Sequence, residues 1–210
     1  MNAREAILAR VRSAVAGEPG HTPEPPAYRR AGDMAQAEMK ARFIDRLTDY
    51  HVHVTAISAA AEIAAVVAGR LAALGIGQLI IPTGLPDAWR PPGVAAVEEA
   101  GLDNLALNGV ASALTSCALA IAETGTVVLD ASPGQGRRAV TLLPDHHICI
   151  VFAHQLVETV PQALQKLSPA AKAARPLTFF SGPSATADIE FDRVVGVHGP
   201  RRLDVVFVGG

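Results

Sequence analysis

A chain of 210 residues with a formal charge of −2 can bury one sizeable core, and it lacks the basic excess that a nucleic-acid surface needs. Half of its residues are hydrophobic, mostly Ala, Val, Leu and Ile with few aromatics, and no run reaches the roughly 18 continuous apolar residues of a membrane span. The opening Met1-Asn2-Ala3-Arg4-Glu5 has no apolar core of the signal-peptide kind, so a cytoplasmic location is expected.

Ala3–Val15 has helical spacing, with Ile7, Leu8, Val11 and Val15 on one face and Asn2 as cap. Gly17–Gly32, rich in proline and glycine, predicts a linker, and Met34–Tyr50 returns to helical spacing through Met39, Phe43 and Leu47. His51–Val54 alternates as a strand. Ser58 then caps a helix over Ala59–Leu74, which ends at Gly75 and Gly77. Gln78–Pro82 is a short buried strand, Pro92–Ala100 a short helix stopped by Gly101, and Leu102–Leu107 another strand. Ala118–Ile121 and Thr126–Leu129 are apolar strands flanking Glu123-Thr124-Gly125. Ser132–Arg138 is a glycine-rich loop, and Ile148–Phe152 a fully apolar strand. Thr159 with Gln162 forms a capping box for a helix over Val160–Leu167. Strands at Leu177–Phe180 and Leu203–Val208 complete the set. Strand and helix alternating at this spacing indicate an α/β fold with a mainly parallel sheet. Residues 1–50 would form an N-terminal helical appendage with its linker, and 51–210 the α/β domain.

Four groups of residues could carry chemistry. Cys117 and Cys149 sit among aliphatic neighbours and are expected to be free core thiols; with no C-x-x-C spacing the chain cannot hold an iron–sulfur cluster alone. Glu123, directly after an apolar run, could be a nucleophile or general base, or else a partner for an arginine or for turn N–H groups. Gly134, Gly136 and Arg137 lie in a loop that could offer backbone N–H groups and guanidiniums to an anion; the alternative is a plain solvated hairpin. No third ligand accompanies His51 and His53 or His146 and His147, so no metal site is expected.

The most informative stretch is Ser181-Gly182-Pro183-Ser184-Ala185-Thr186-Ala187-Asp188-Ile189-Glu190, with Val197-His198-Gly199-Pro200-Arg201 after it. Loops at the carboxyl ends of strands bind ligands in open α/β sheets. Ser184, Thr186, Asp188, Glu190, His198 and Arg201 are therefore expected to form one constellation, in which hydroxyls and Arg201 hold a carboxylate or phosphate. The competing expectation is structural: Ser184 or Thr186 caps a helix, and Asp188 or Glu190 pairs with Arg201.

Ile121-Ala122-Glu123-Thr124-Gly125-Thr126, Leu143-Pro144 ahead of His147-Ile148, Gly182–Glu190 and Gly196–Arg201 occur together in a characteristic order. In these segments the chain closely resembles the lactate-utilization protein C family, also called the LUD-domain or YkgG family, over most of its length. The resemblance implies a three-layer sandwich like that of glucosamine-phosphate isomerase, ribose-phosphate isomerase and the CoA transferases (NagB/RpiA/CoA-transferase-like). It also implies a role beside two iron–sulfur proteins in oxidising L-lactate to pyruvate. The clusters would then reside on partner subunits, leaving this chain as a non-redox component that binds a small anionic ligand. Two alternatives stand beside that expectation: a CoA-transferase-like enzyme acting on a small anionic or phosphorylated substrate through Glu123, and a regulatory ligand-binding module.

Overall fold

Two sheets organise the fold. The computed structural model describes residues 2–16, 27–186, 194–196 and 198–209. In chain order these form α1 (Ala3–Val15), α2 (Gln36–Asp49), β1 (His53–Ile57), α3 (Ile63–Ala73), β2 (Gln78–Ile81), β3 (Ala95–Glu98), α4 (Asn104–Asn108) and β4 (Ser112–Thr115). There follow β5 (Leu119–Ile121), β6 (Thr126–Leu129), β7 (His146–Phe152), β8 (Leu156–Val157), α5 (Val160–Lys172), β9 (Thr178–Phe180), β10 (Ala185–Thr186), β11 (Val194–Val195) and β12 (Arg202–Val208). The main sheet is parallel, in the order β1-β12-β7-β4-β2-β3. A second sheet, β8-β5-β6-β9, stands beside it, and β10 pairs with β11 in a short antiparallel ribbon.

The central strands β7 and β12 are apolar throughout most of their length because both faces are covered. Cys149, Val151, Val205 and Phe207 face one way, into a core shared with Phe43 and Leu47 of α2 and with Ala120, Val127 and Leu129 of the second sheet. Ile148, Ile150, Val206 and Val208 face the other way, against Ile63, Val67 and Leu71 of α3. The result is the expected three-layer α/β sandwich, with the second sheet in its third layer and α5 closing that sheet's far side through Ala163 and Leu167.

Local signals account for several elements. Asn2 Oδ1 accepts from the Glu5 N–H at 2.9 Å, and Glu5 returns the bond to the Asn2 N–H, which fixes the start of α1. Thr159 and Gln162 form the same box at α5, which runs on to Lys172. Other expectations are corrected. Pro92–Ala100 contains the edge strand β3, not a helix: it is mostly exposed, and Val94 and Val97 fit a helical period only by accident of a short run. Leu102–Leu107 is not a strand. Asp103 accepts from the Ala106 N–H at 2.8 Å and starts α4 there. The helix after β1 is capped not by Ser58 but by Glu62, whose carboxylate accepts from the N–H groups of Ser58 and Ala59.

Candidate functional site

Three chain segments meet at the amino edge of the main sheet. The turn after β9 brings Ser184 alongside the segment that leads into β12. The Ser184 N–H donates to the Pro200 carbonyl at 2.9 Å, and the Ser184 carbonyl accepts from the Gly196 N–H at 2.8 Å. The His198 N–H donates to Ser184 Oγ at 3.0 Å. The two late polar turns therefore pack on each other as far as they are described. Together with the first residues of β7 and β12 they enclose a cavity of about 250 Å³. The expected position is corrected: these turns follow the carboxyl end of β9, but in the parallel sheet they lie over the starts of β7 and β12. The ribbon β10–β11 carries the chain back to begin β12, and so delivers both turns to the amino edge.

The sequence-predicted residues divide accordingly. Ser184, His198 and Gly199 line this cavity. Arg201 does not; its side chain is largely exposed, lies against Gly196 and sits 3.6 Å from Asp145. Thr186 falls in β10, and its side chain, with Asp188 and Glu190, lies outside the described residues. Gly134, Gly136 and Arg137 are elsewhere. The Gly134 N–H donates to the Thr83 carbonyl and its carbonyl accepts from the Ser116 N–H, both at 2.8 Å. Arg137 is tied to Glu99 and to the Leu102 carbonyl. Glu123 is half-exposed on the β5–β6 hairpin turn and pairs with Arg29 at 3.1 Å.

The structure adds His147, which sequence reasoning missed as a wall of this cavity, and brings Arg138 of the glycine-rich loop to it. His147, the second residue of β7, forms a buried wall of the cavity, and its Nε2 hydrogen-bonds Thr115 Oγ1 at 2.8 Å. Its ring packs on Phe180, with centroids 5.3 Å apart. Burial, reinforced by the neighbouring His146, lowers its pKa to about 3. At neutral pH it is uncharged: it can exchange a hydrogen bond with a ligand but supplies no cationic charge, and it is too weak a base to hold a proton. Among the described residues, the arginine on this cavity is Arg138, and Thr141 also lines it. A hydroxyl chain ties the hairpin motif to the same region: Thr124 Oγ1 lies 2.7 Å from Thr126 Oγ1, which lies 2.8 Å from Ser181 Oγ.

A second polar group lies on the opposite face of β7. Ser112 Oγ is 3.0 Å from His146 Nδ1, and His146 Nε2 stands 3.2 Å from Asp204 Oδ2 without an aligned hydrogen bond. Arg70 holds both Asp204 oxygens. Burial alone would push the Asp204 carboxyl up, but His146 and Arg70 outweigh it and hold the carboxyl below its usual range. Ser112, His146 and Asp204 are all buried and line none of the cavities described here, so the group ties β4, β7, β12 and α3 together and has no room for a substrate. The thiols of Cys117 and Cys149 are free and buried; contact between them and burial raise the Cys117 pKa, which leaves it protonated. Among the described residues no cluster of three or more His, Cys, Asp or Glu side chains could hold a metal ion, and no helix is long and apolar enough to cross a membrane.

Comparison with known proteins agrees with this architecture. The LUD domain family model matches residues 88–208. A protein of Deinococcus radiodurans named "Lactate utilization protein C" is 41% identical over 205 residues, which cover 97% of this chain and 94% of that one. The Bacillus subtilis protein of the same name is 38% identical over 99 residues, 45% of this chain and 41% of its own. A crystal structure of a DUF162 family protein from Deinococcus radiodurans superposes with a TM-score of 0.74 at 39% identity, covering 84% of this chain and all of the other. By family model and by near full-length identity, this chain belongs to the LUD-domain family of lactate utilization C proteins.

Proposed function

We propose that this chain is a non-redox component of an iron–sulfur system that oxidises L-lactate to pyruvate in the cytoplasm, and that the cavity beside Ser184 and His198 receives a small carboxylate. The observation that carries this reading is 41% identity over 97% of the chain to a lactate utilization protein C, combined with a small cavity in which Ser184, His198, His147 and Arg138 stand among apolar side chains. Arg138 supplies the charge for a carboxylate, Ser184 and neutral His147 supply hydrogen bonds, and partner subunits carry the clusters. On this reading the redox chemistry belongs to those partners, and this chain contributes ligand binding.

Calorimetry with L-lactate and pyruvate tests the ligand. Arg138→Ala should weaken carboxylate binding about tenfold, the effect of losing one charge-assisted hydrogen bond of about 1.4 kcal/mol, without loss of fold. Arg201→Ala, outside the cavity wall, should weaken it less. A native pull-down from lactate-grown cells should recover cysteine-rich iron–sulfur proteins. Absence of heat with both acids, together with a chain that purifies alone, would overturn the proposal. Acyl transfer through Glu123 would require Arg29 to release that carboxylate; trapping a thioester on Glu123 would establish it.

A further inference from the structure

A larger cavity lies apart from the one beside Ser184 and His198 and shares no lining residue with it. It has a volume of about 600 Å³, within the range that buries a drug-sized ligand. It opens at the carboxyl edge of the main sheet, beyond the last residues of β4 and β7, where Ser116 and Phe152 line it. Strand order makes this a point of divergence: from β2 the chain moves outward to β3, whereas β4 leads back toward β7 and β12. Open α/β sheets take their ligands at such points.

Two features of the walls define an occupant. Trp89, Phe152 and His154 form a continuous aromatic series, with ring centroids 5.7 Å apart between the first two and 5.5 Å between the last two. All three line the cavity, their planes tilted by 35° and 33° from one to the next, so together they present a curved aromatic wall that a planar ring can contact. The lining also carries charge. Asp130, buried, pairs with Arg175 at 2.9 Å, and Arg175 also donates to Ser132 Oγ. These contacts occupy two of the five N–H groups of Arg175. Lys166, exposed on α5, lines the same cavity and has no acidic partner among the described residues. Against one carboxylate stand a lysine and an arginine, so the lining has a net positive charge.

We propose that this cavity is a second binding site, separate from the Ser184–His198 cavity, for a planar aromatic anion of about nucleoside-monophosphate size. The ring stacks along Trp89, Phe152 and His154, and the anionic group is held by Lys166 and the free edge of Arg175.

Trp89 is the only tryptophan in the chain, so its emission reports directly on this wall. Titration with AMP should change that emission saturably. Lys166→Glu, a surface substitution that preserves the fold, should weaken the response at least tenfold, whereas His198→Ala should leave it unchanged. Adenosine should bind more weakly than AMP, and inorganic phosphate should leave the emission unaltered. Equal AMP affinity in the wild type and Lys166→Glu would overturn the electrostatic half of the proposal. A response to phosphate equal to that of AMP would overturn the aromatic half. No saturable emission change and no heat at millimolar AMP would overturn the site.

Discussion

At the base of the smaller cavity, His147 combines burial, a hydrogen bond to Thr115 and a like-charged neighbour in His146, and its neutrality has a measurable consequence. Between about pH 3 and its ordinary value of 6.5, the unfolded chain binds a proton there that the native state refuses. Acidification through that window therefore favours unfolding, by up to roughly 1.4 kcal/mol per pH unit for a full proton. His147→Gln keeps a side chain able to bond Thr115 but cannot titrate. Urea unfolding at pH 6.5 and pH 5 should show the wild type losing about 1.6 kcal/mol more than the variant. Equal losses would mean that His147 titrates normally and reaches solvent. Asp204 acts in a different window: its lowered pKa gives stability that is complete above the ordinary carboxylate range and is lost as pH falls through and below 3.8. Between pH 6.5 and 5 the His147 effect is therefore read without that of Asp204, and the two overlap only at more acid pH.

At the scale of elements, the segment before α2 is held by one buried carboxylate. Glu158 accepts from the Met34 N–H at 2.8 Å and from Arg29, and these bonds hold its carboxyl below the usual range. Gly32 passes so close that a Cβ there would lie 1.7 Å from Glu158 Oε2. Gly32→Ala should therefore detach residues 27–35 from the second sheet. Hydrogen exchange should rise across those residues while β7 and β12 stay protected; unchanged exchange would show that the segment can shift without releasing Glu158. Gly125 plays a related part at the β5–β6 turn, where φ is +61° and a Cβ would meet the backbone of α2 at Arg46.

None of these contacts is visible in the local pattern, and the same limit explains what sequence reasoning missed. α1 and the start of α5 were legible because caps and periodicity lie within a few residues. β4 was not: Ser112 and Thr115 look like loop residues, yet both are fully buried because His146 and His147, more than thirty positions away, complete their hydrogen bonds. The approach of Ser184 to His198 was legible from polar residues bracketing apolar strands. The contribution of His147 was not, since it depends on the register of β7; Arg138 was legible as a guanidinium of the glycine-rich loop, but not its meeting with Ser184 and His198 in one cavity.

At the scale of the whole molecule, the question is where the folding unit begins. The family match starts at residue 88, yet β1 and β2 pair within the main sheet, and α2 covers it. Phe43 and Leu47 are fully buried, with the Phe43 ring 6.1 Å from that of Phe207. Around them Gln36 donates to the Ala153 carbonyl and Lys40 to the Gly209 carbonyl. By contrast α1 buries no residue at all. Truncating a buried Phe or Leu to Ala costs about 2–5 kcal/mol each, and an entire domain is stable by only about 5–15 kcal/mol. Losing α2 outright is therefore comparable to the whole stability of the chain, whereas losing α1 costs almost nothing. A chain beginning at residue 27 should melt in one cooperative transition near the full-length temperature. A chain beginning at residue 51 should expose the face of β7 and β12 that α2 covers, bind hydrophobic dyes and melt without cooperativity. Cooperative melting of residues 51–210 would instead place a true domain boundary after residue 50 and make α2 an attachment to a self-sufficient core.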